Sequence, residues 1–231
     1  MGKECKEGIR VFASVNGVKI FYEQEGRGKP FLLLHGNSED HTKFSGLVPL
    51  LARKYTVYAL DSRDHGRSGR TDGLSYMAMM EDVAAFIHIL GLERPILLGA
   101  SDGGIVGLLT AIYHPELLSG LIACGANTKP EQLKKWFLAV CKIGYRFTKD
   151  AKLKMMLTEP NIEPQHLAGI STPTLILAGS RDIVAGEVTR MIAGSIPGSQ
   201  IKILKGETHS SYLKHCGRVM DAMASFLDTI K

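Results

Sequence analysis

The sequence predicts an α/β fold with a mostly parallel central sheet and helices on both faces, and three observations carry that prediction. First, "PFLLLHG", "YTVYALD" (55–61), "RPILLGA" (94–100), "SGLIACG" (119–125), "TPTLILAG" (172–179) and "SQIKILKG" (199–206) are short runs of strand length. They are read as runs without alternation, the pattern of strands buried on both faces of a parallel sheet. Second, helix-length segments of 3.6-residue period lie between them, which implies parallel pairing through right-handed crossovers. Third, the 231 residues show no break in composition, so one domain spanning 1–231 is expected.

The elements follow in order. "VFASVNGVKIFYEQEGRGKP" alternates around Asn16-Gly17, the favoured type I′ dipeptide, and so reads as an opening β-hairpin. Residues 75–90 place Met79, Val83, Phe86, Ile87 and Leu90 on one helix face, with Gly91 as the C-cap; the methionines there are read as core packing. Residues 128–168 interrupt the strand–helix alternation. Within them Leu133, Trp136 or Phe137, Val140, Ile143 or Gly144, and Phe147 form an apolar stripe opposite Lys134, Lys135, Lys142 and Arg146. A basic amphipathic helix can anchor a protein to a membrane. Inside a globular chain it is read instead as a helix lying over the core, in the position of a short lid.

Composition bounds the function class. Hydrophobic residues at 45% and charged residues at 22% exclude a disordered or membrane-embedded chain, and no apolar run reaches the ~18 residues of a membrane span. The start, "MGKECKEGIRVF", has no apolar signal segment, and Lys6 breaks the myristoylation pattern. A cytoplasmic protein without stable membrane association is expected. Cys5, Cys124, Cys141 and Cys216 have neither C-x-x-C spacing nor a paired framework, so they read as reduced structural thiols. The net charge of +5 comes without a basic block of five or more, which reads as a mildly basic solvated surface and argues against a nucleic-acid partner.

The chemistry centres on "PILLGASDGGIVGLL". Ser101 follows a strand-like run and is fenced by Gly99, Gly103 and Gly104, as a sharp strand-to-helix turn requires where side chains would collide. Such a serine needs a base and an acid within reach. "LILAGSRDIV" puts Asp182 just past a strand, and "ILKGETHSSYL" puts His209 in a loop after the last one. With "LLLHGNSEDH" early in the chain, these segments resemble the α/β-hydrolase family over nearly the whole length.

That resemblance implies Ser101 as nucleophile, His209 as base and Asp182 as its orienting acid, in the family's chain order. It also implies an oxyanion hole from the backbone amides of Asn37 and Asp102, with His35 shaping the loop, and no metal or other cofactor. "DSRDHGRSG" resembles the family's D-x-R-G-H-G-x-S segment, with Asp64 where the first glycine normally stands, a substitution disfavoured where φ is positive. This segment, including His65 and Arg67, is read as structural.

The expected activity is hydrolysis of a small or medium carboxylic ester through an acyl-enzyme on Ser101. Carbon–carbon bond hydrolysis and cofactor-free perhydrolysis use the same three residues, and a non-catalytic ligand-binding member would share the fold. Shifting the motif by one residue makes Asp102 the nucleophile and resembles the haloalkane dehalogenases. A metal hydrolase is disfavoured by the lack of H-E-x-x-H, and nucleotide binding by the lack of G-x-G-x-x-G or a P-loop.

Overall fold

Asn16 and Gly17 both adopt positive φ, 46° and 77°, the handedness of a type I′ turn. They join β1 (Ile9–Val15) to β2 (Val18–Gly26) in an antiparallel pair that runs from Val15 and Val18 out to Ile9 and Gln24. The remaining strands are β3 (Lys29–Leu34), β4 (Tyr55–Leu60), β5 (Ile96–Ala100), β6 (Gly120–Cys124), β7 (Thr174–Arg181) and β8 (Gln200–Thr208). They form one eight-stranded sheet in the order β1-β2-β4-β3-β5-β6-β7-β8, antiparallel at β1–β2 and β2–β4 and parallel throughout the rest. This computed structural model describes residues 9–230; the expectations for Cys5, Lys6 and the charged start of the chain lie outside the described residues.

The apolar strands β3 to β7 are buried on both faces over most of their length, as their composition predicts; β8, read in the same way, is instead mostly exposed, because it is the edge strand of the sheet. Leu32, Leu34, Leu97 and Leu121 belong to one core layer; Phe31, Leu33, Leu98 and Ile122 belong to the other. The first layer lies beneath α2 (Tyr76–Ile89), α3 (Asp102–Tyr113) and α7 (Gly186–Ser195). The second lies beneath α1 (Val48–Leu51), α8 (Ser211–Lys214) and α9 (Cys216–Leu227). Ser75 caps α2 by accepting from Ala78 N at 3.1 Å, and Gly91 ends it at φ 59°. Met79, Met80, Val83, Phe86 and Ile87 are buried along its inner face, with Leu90 packed at the edge.

Between β6 and β7 the chain inserts α4 (Lys135–Thr148), α5 (Ala151–Thr158) and α6 (Pro164–Ala168). Here the structure corrects one expectation. Most of the stripe read as lying over the core is turned outward: Trp136, Val140, Ile143 and Phe147 are exposed, while Leu133 of the same stripe and Cys141 outside it are buried and Phe137 and Leu138 half-buried. An amphipathic period locates an apolar seam but does not say which of two faces meets the protein. Cys124, Cys141 and Cys216 are unpaired. Among the described residues, no helix is long and apolar enough to cross a membrane.

Candidate active site

β5 ends at Ala100 and α3 begins at Asp102, so Ser101 alone makes the turn and takes φ 53°, ψ −114°. The glycines allow a very close approach of backbone. A Cβ on Gly99 would lie 2.0 Å from Gly103 O, and one on Gly103 would lie 2.2 Å from Leu34 O, both far inside contact distance. α3 can therefore start directly against β5 and β3, with Ser101 projecting from the corner. Its amide is fixed by donation to Cys124 O at 2.8 Å.

The structure brings the three expected side chains together. His209 Nε2 lies 2.9 Å from Ser101 Oγ, and His209 Nδ1 lies 2.6 Å from Asp182 Oδ1. With Nδ1 protonated, the ring donates to Asp182 and accepts from the Ser101 hydroxyl. Asp182 sits one residue beyond β7, is 3% exposed, and also accepts from Val184 N at 3.0 Å, which fixes the carboxylate. His209 sits one residue beyond β8. Gly125, at φ 60°, makes room for its ring: a Cβ there would lie 3.0 Å from His209 Cε1.

The loop after β3 lies against the same corner. Gly103 N donates to His35 O at 3.1 Å, which ties the start of α3 to the segment carrying Asn37. His35 is fully buried. Its Nδ1 lies 2.8 Å from Gly36 O and its Nε2 accepts from Ser62 N at 3.0 Å. Burial drops its pKa to about 4, so the ring is a neutral strut that shapes the loop, as expected. Glu39 Oε2 accepts from Gly36 N at 3.1 Å and also pairs with Lys43.

A buried network around Asp102 is not apparent in the sequence. The Asp102 carboxylate is 2% exposed and accepts from Tyr76 Oη at 2.9 Å and from Asn37 Nδ2 at 3.0 Å. Burial pushes its pKa up, opposed by the two hydrogen bonds. Asn37 Nδ2 also donates to Lys152 O at 3.2 Å, linking the loop to α5. Tyr76 follows the N-cap of a helix 26 residues away, and nothing local in its sequence marks it as a partner of Asp102.

The segment 61–69 is structural in its contacts. Asp61 is fully buried; its Oδ1 accepts from His41 N at 2.7 Å and its Oδ2 from Arg67 N at 2.7 Å. Asp64 does take the left-handed backbone, at φ 62°, in spite of not being glycine. Its carboxylate accepts from Thr71 N and Thr71 Oγ1, both at 2.8 Å, and these bonds offset the local strain. Arg63 reaches across to Asp82 with Nε–Oδ2 and Nη2–Oδ1 distances of 2.6 Å, a buried bidentate pair that locks the segment to α2.

Ser101 and His209 open into a cavity of about 510 Å³. Its walls include Trp136, Phe137, Val140 and Cys141 of α4, with Leu153 and Met156 of α5. The inserted helices thus form the apolar side of the chamber, and the Asn37 loop forms the polar side. Such a mixture suits an acyl group with one polarised carbonyl.

Comparison with known proteins agrees with the architecture. A family profile of the alpha/beta hydrolase fold matches residues 29–150. The chain is 26% identical over 154 residues to a 2-hydroxy-6-oxo-6-(2'-aminophenyl)hexa-2,4-dienoic acid hydrolase of Metapseudomonas resinovorans, a match covering 64% of this chain and 52% of that enzyme, so the chain spans about half of its length. It is 25% identical to a pimeloyl-[acyl-carrier protein] methyl ester esterase of Edwardsiella ictaluri, covering 90% of this chain and 97% of that protein. In fold it is similar to a thermophilic esterase from Thermogutta terrifontis, with a TM-score of 0.80 at 23% identity over 96% of this chain and 99% of that one. The profile covers more than half of the chain and includes both the Asn37 loop and the Ser101 corner: this protein belongs to the α/β hydrolase fold family.

Proposed function

We propose that the protein is a serine hydrolase acting on small or medium carboxylic esters, the chain working as one domain with the insertion at about 128–168 as its lid. The observation that carries this reading is the continuous relay Ser101–His209–Asp182, at 2.9 and 2.6 Å, opening into the apolar chamber. His209 Nε2 takes the Ser101 proton as Oγ bonds to the ester carbonyl carbon. The imidazolium is stabilised by Asp182 and returns that proton to the leaving alkoxide as the C–O bond breaks. Water then attacks the acyl carbon as His209 takes its proton, the bond to Ser101 Oγ breaks, and His209 returns the proton to Oγ as the acid leaves.

The backbone amides of Asn37 and Asp102 are the proposed oxyanion donors, each worth roughly 3 kcal/mol in the transition state. The N-terminus of α3 adds its partial positive charge at the same place. The Asp102 carboxylate has a different task. It is engaged by Tyr76 and Asn37, whereas His209 is paired with Ser101, and that supports serine over Asp102 as the nucleophile. Carbon–carbon bond hydrolysis by the same three residues is the second reading, favoured by the similarity to the dienoic acid hydrolase.

The test is intact-protein mass spectrometry after incubation with a fluorophosphonate. One adduct on the wild type that is lost in Ser101→Ala supports the reading. No adduct on folded wild type overturns it. With the adduct in hand, turnover of short p-nitrophenyl esters against that of a vinylogous diketone separates the two chemistries.

A further inference from the structure

The apolar seam of α4 is uncovered. Trp136, Val140, Ile143 and Phe147 are 60%, 60%, 59% and 81% exposed, and they follow one another at i, i+4, i+7 and i+11, in line along the helix. Single exposed apolar side chains are ordinary, but four in line form a patch. The other sides of α4 are distinct: Cys141 is buried against the protein, and Lys135, Lys142 and Arg146 are exposed beyond the seam.

Charge singles out the same region. Residues 134–154 contain seven lysines and arginines and one acid, Asp150, a net +6, whereas the whole chain carries +5. The rest of the molecule is therefore slightly acidic, and nearly all of the positive field comes from the stretch that bears the seam. A helix with an apolar strip, a basic polar face and modest overall hydrophobicity has the make-up of one that lies in a membrane interface.

We propose that α4 seats the protein, reversibly and by this seam, on the surface of an anionic lipid bilayer, with its lysines and Arg146 at the headgroup phosphates. Charge complementarity favours this occupant over a second copy of the chain. A symmetric dimer through the seam would bring the exposed Lys135, Lys142 and Arg146 of two copies close together, whereas an anionic leaflet attracts those cations. Such a contact is peripheral and needs no spanning helix. Trp136 and Val140 also line the chamber that holds Ser101, so docking sets the chamber's mouth at the lipid surface. On the ester-hydrolase reading, that placement admits acyl substrates that partition into the bilayer; the docking itself does not depend on that reading.

Trp136 is the single tryptophan of the chain, so its emission reports on the seam directly. The full chain is titrated with vesicles of phosphatidylcholine alone and of phosphatidylcholine mixed with phosphatidylglycerol. On the mixed vesicles the emission should shift to the blue and become shielded from acrylamide. Binding should be at least about ten-fold weaker on the neutral vesicles, and weakened similarly in about 0.5 M salt, where charges are screened within a few Å. An Ile143→Ser/Phe147→Ser double variant, altered only at exposed positions, should lose the shift, and Ser101→Ala should keep it.

No shift on anionic vesicles, equal binding to neutral ones, or a double variant that binds like wild type would overturn the proposal. Sedimentation that finds a dimer dissolved by the double variant, with no vesicle binding, would assign the seam to a second copy instead. A wild type that takes the fluorophosphonate yet ignores vesicles removes the docking alone, and a protein that binds vesicles but takes no fluorophosphonate removes the hydrolase reading alone.

Discussion

Replacing the glycines of the Ser101 corner by alanine should produce damage graded by the available space. At Gly99 the new Cβ would stand 2.0 Å from Gly103 O, 2.2 Å from Gly103 C and 2.6 Å from Gly104 N, all of them backbone atoms that no rotamer change can move aside. Real Cβ contacts essentially never fall below 3.0 Å, so α3 must lift from β5 by about 1 Å. Overpacking of this kind costs about 1–3 kcal/mol or more. For a chain of this size that lowers Tm by roughly 2–12 °C. The displacement falls on Ser101 and on the amide of Asp102, where a shift of about 1 Å costs on the order of 100-fold in rate. Gly104→Ala is the matched control. Its Cβ would meet Gly99 O at 3.1 Å and Ala126 Cβ at 3.2 Å, a squeeze of a few tenths of an ångström. Inside α3 that squeeze is offset by the gain of about 1 kcal/mol in helix propensity. Urea unfolding and p-nitrophenyl acetate turnover would be measured on both variants. A Gly99→Ala protein with wild-type stability and rate, or a Gly104→Ala protein as damaged as Gly99→Ala, would refute the close-approach argument.

Other expectations follow from the same contacts. Ser101→Ala, His209→Ala and Asp182→Asn should each lower kcat by roughly 10⁴-fold with unfolding midpoints close to wild type, and the double variants should lose little more, as groups acting as a unit do; additive losses in steady-state assays would contradict the relay. Because burial holds the His35 pKa at about 4, below its unfolded value of about 6.5, the unfolded chain binds the extra proton first. The stability contributed by neutral His35 is therefore complete above about pH 6.5 and is lost as pH falls toward 4, on the order of 2–3 kcal/mol. Urea midpoints measured from pH 7 to pH 4 should fall less steeply for His35→Gln than for wild type, and parallel slopes would count against the buried neutral ring. Tyr76→Phe removes one of two donors to the buried Asp102 carboxylate and should cost about 1–3 kcal/mol by chemical denaturation. An unchanged midpoint would mean that this hydrogen bond contributes nothing to the folded state.

What could be read from the sequence is what depends on near neighbours along the chain. The Asn16-Gly17 turn, the glycine fence around Ser101, and the positions of Asp182 and His209 just beyond β7 and β8 are local patterns, and all lie where their spacing puts them. Asp64 shows the limit of a local rule: its positive φ is tolerated because Thr71, seven residues on, supplies two hydrogen bonds. Contacts between distant segments left no local trace. The Arg63–Asp82 pair and the Tyr76–Asp102–Asn37 network depend on the sheet bringing those segments together. The α4 seam is visible in the sequence as a stripe, but its direction is set by Leu133, Phe137 and Cys141, which pack against the core and leave the rest of the stripe outside.

The root of the insertion is stitched to the loop that carries Asp182. Leu133 forms an antiparallel bridge with Val184, Lys134 N donates to Ile183 O at 2.9 Å, and Val184 N is the donor that holds the Asp182 carboxylate. For protein engineering this divides the insertion into two zones with different freedoms. Grafts of foreign helices should be spliced after Lys134 and before Glu159, where the transplanted stretch can alter the chamber wall without touching the seam between root and acid loop. A graft that begins upstream of Leu133 would exchange substrate preference and, in the same cut, unfasten the carboxylate that orients His209.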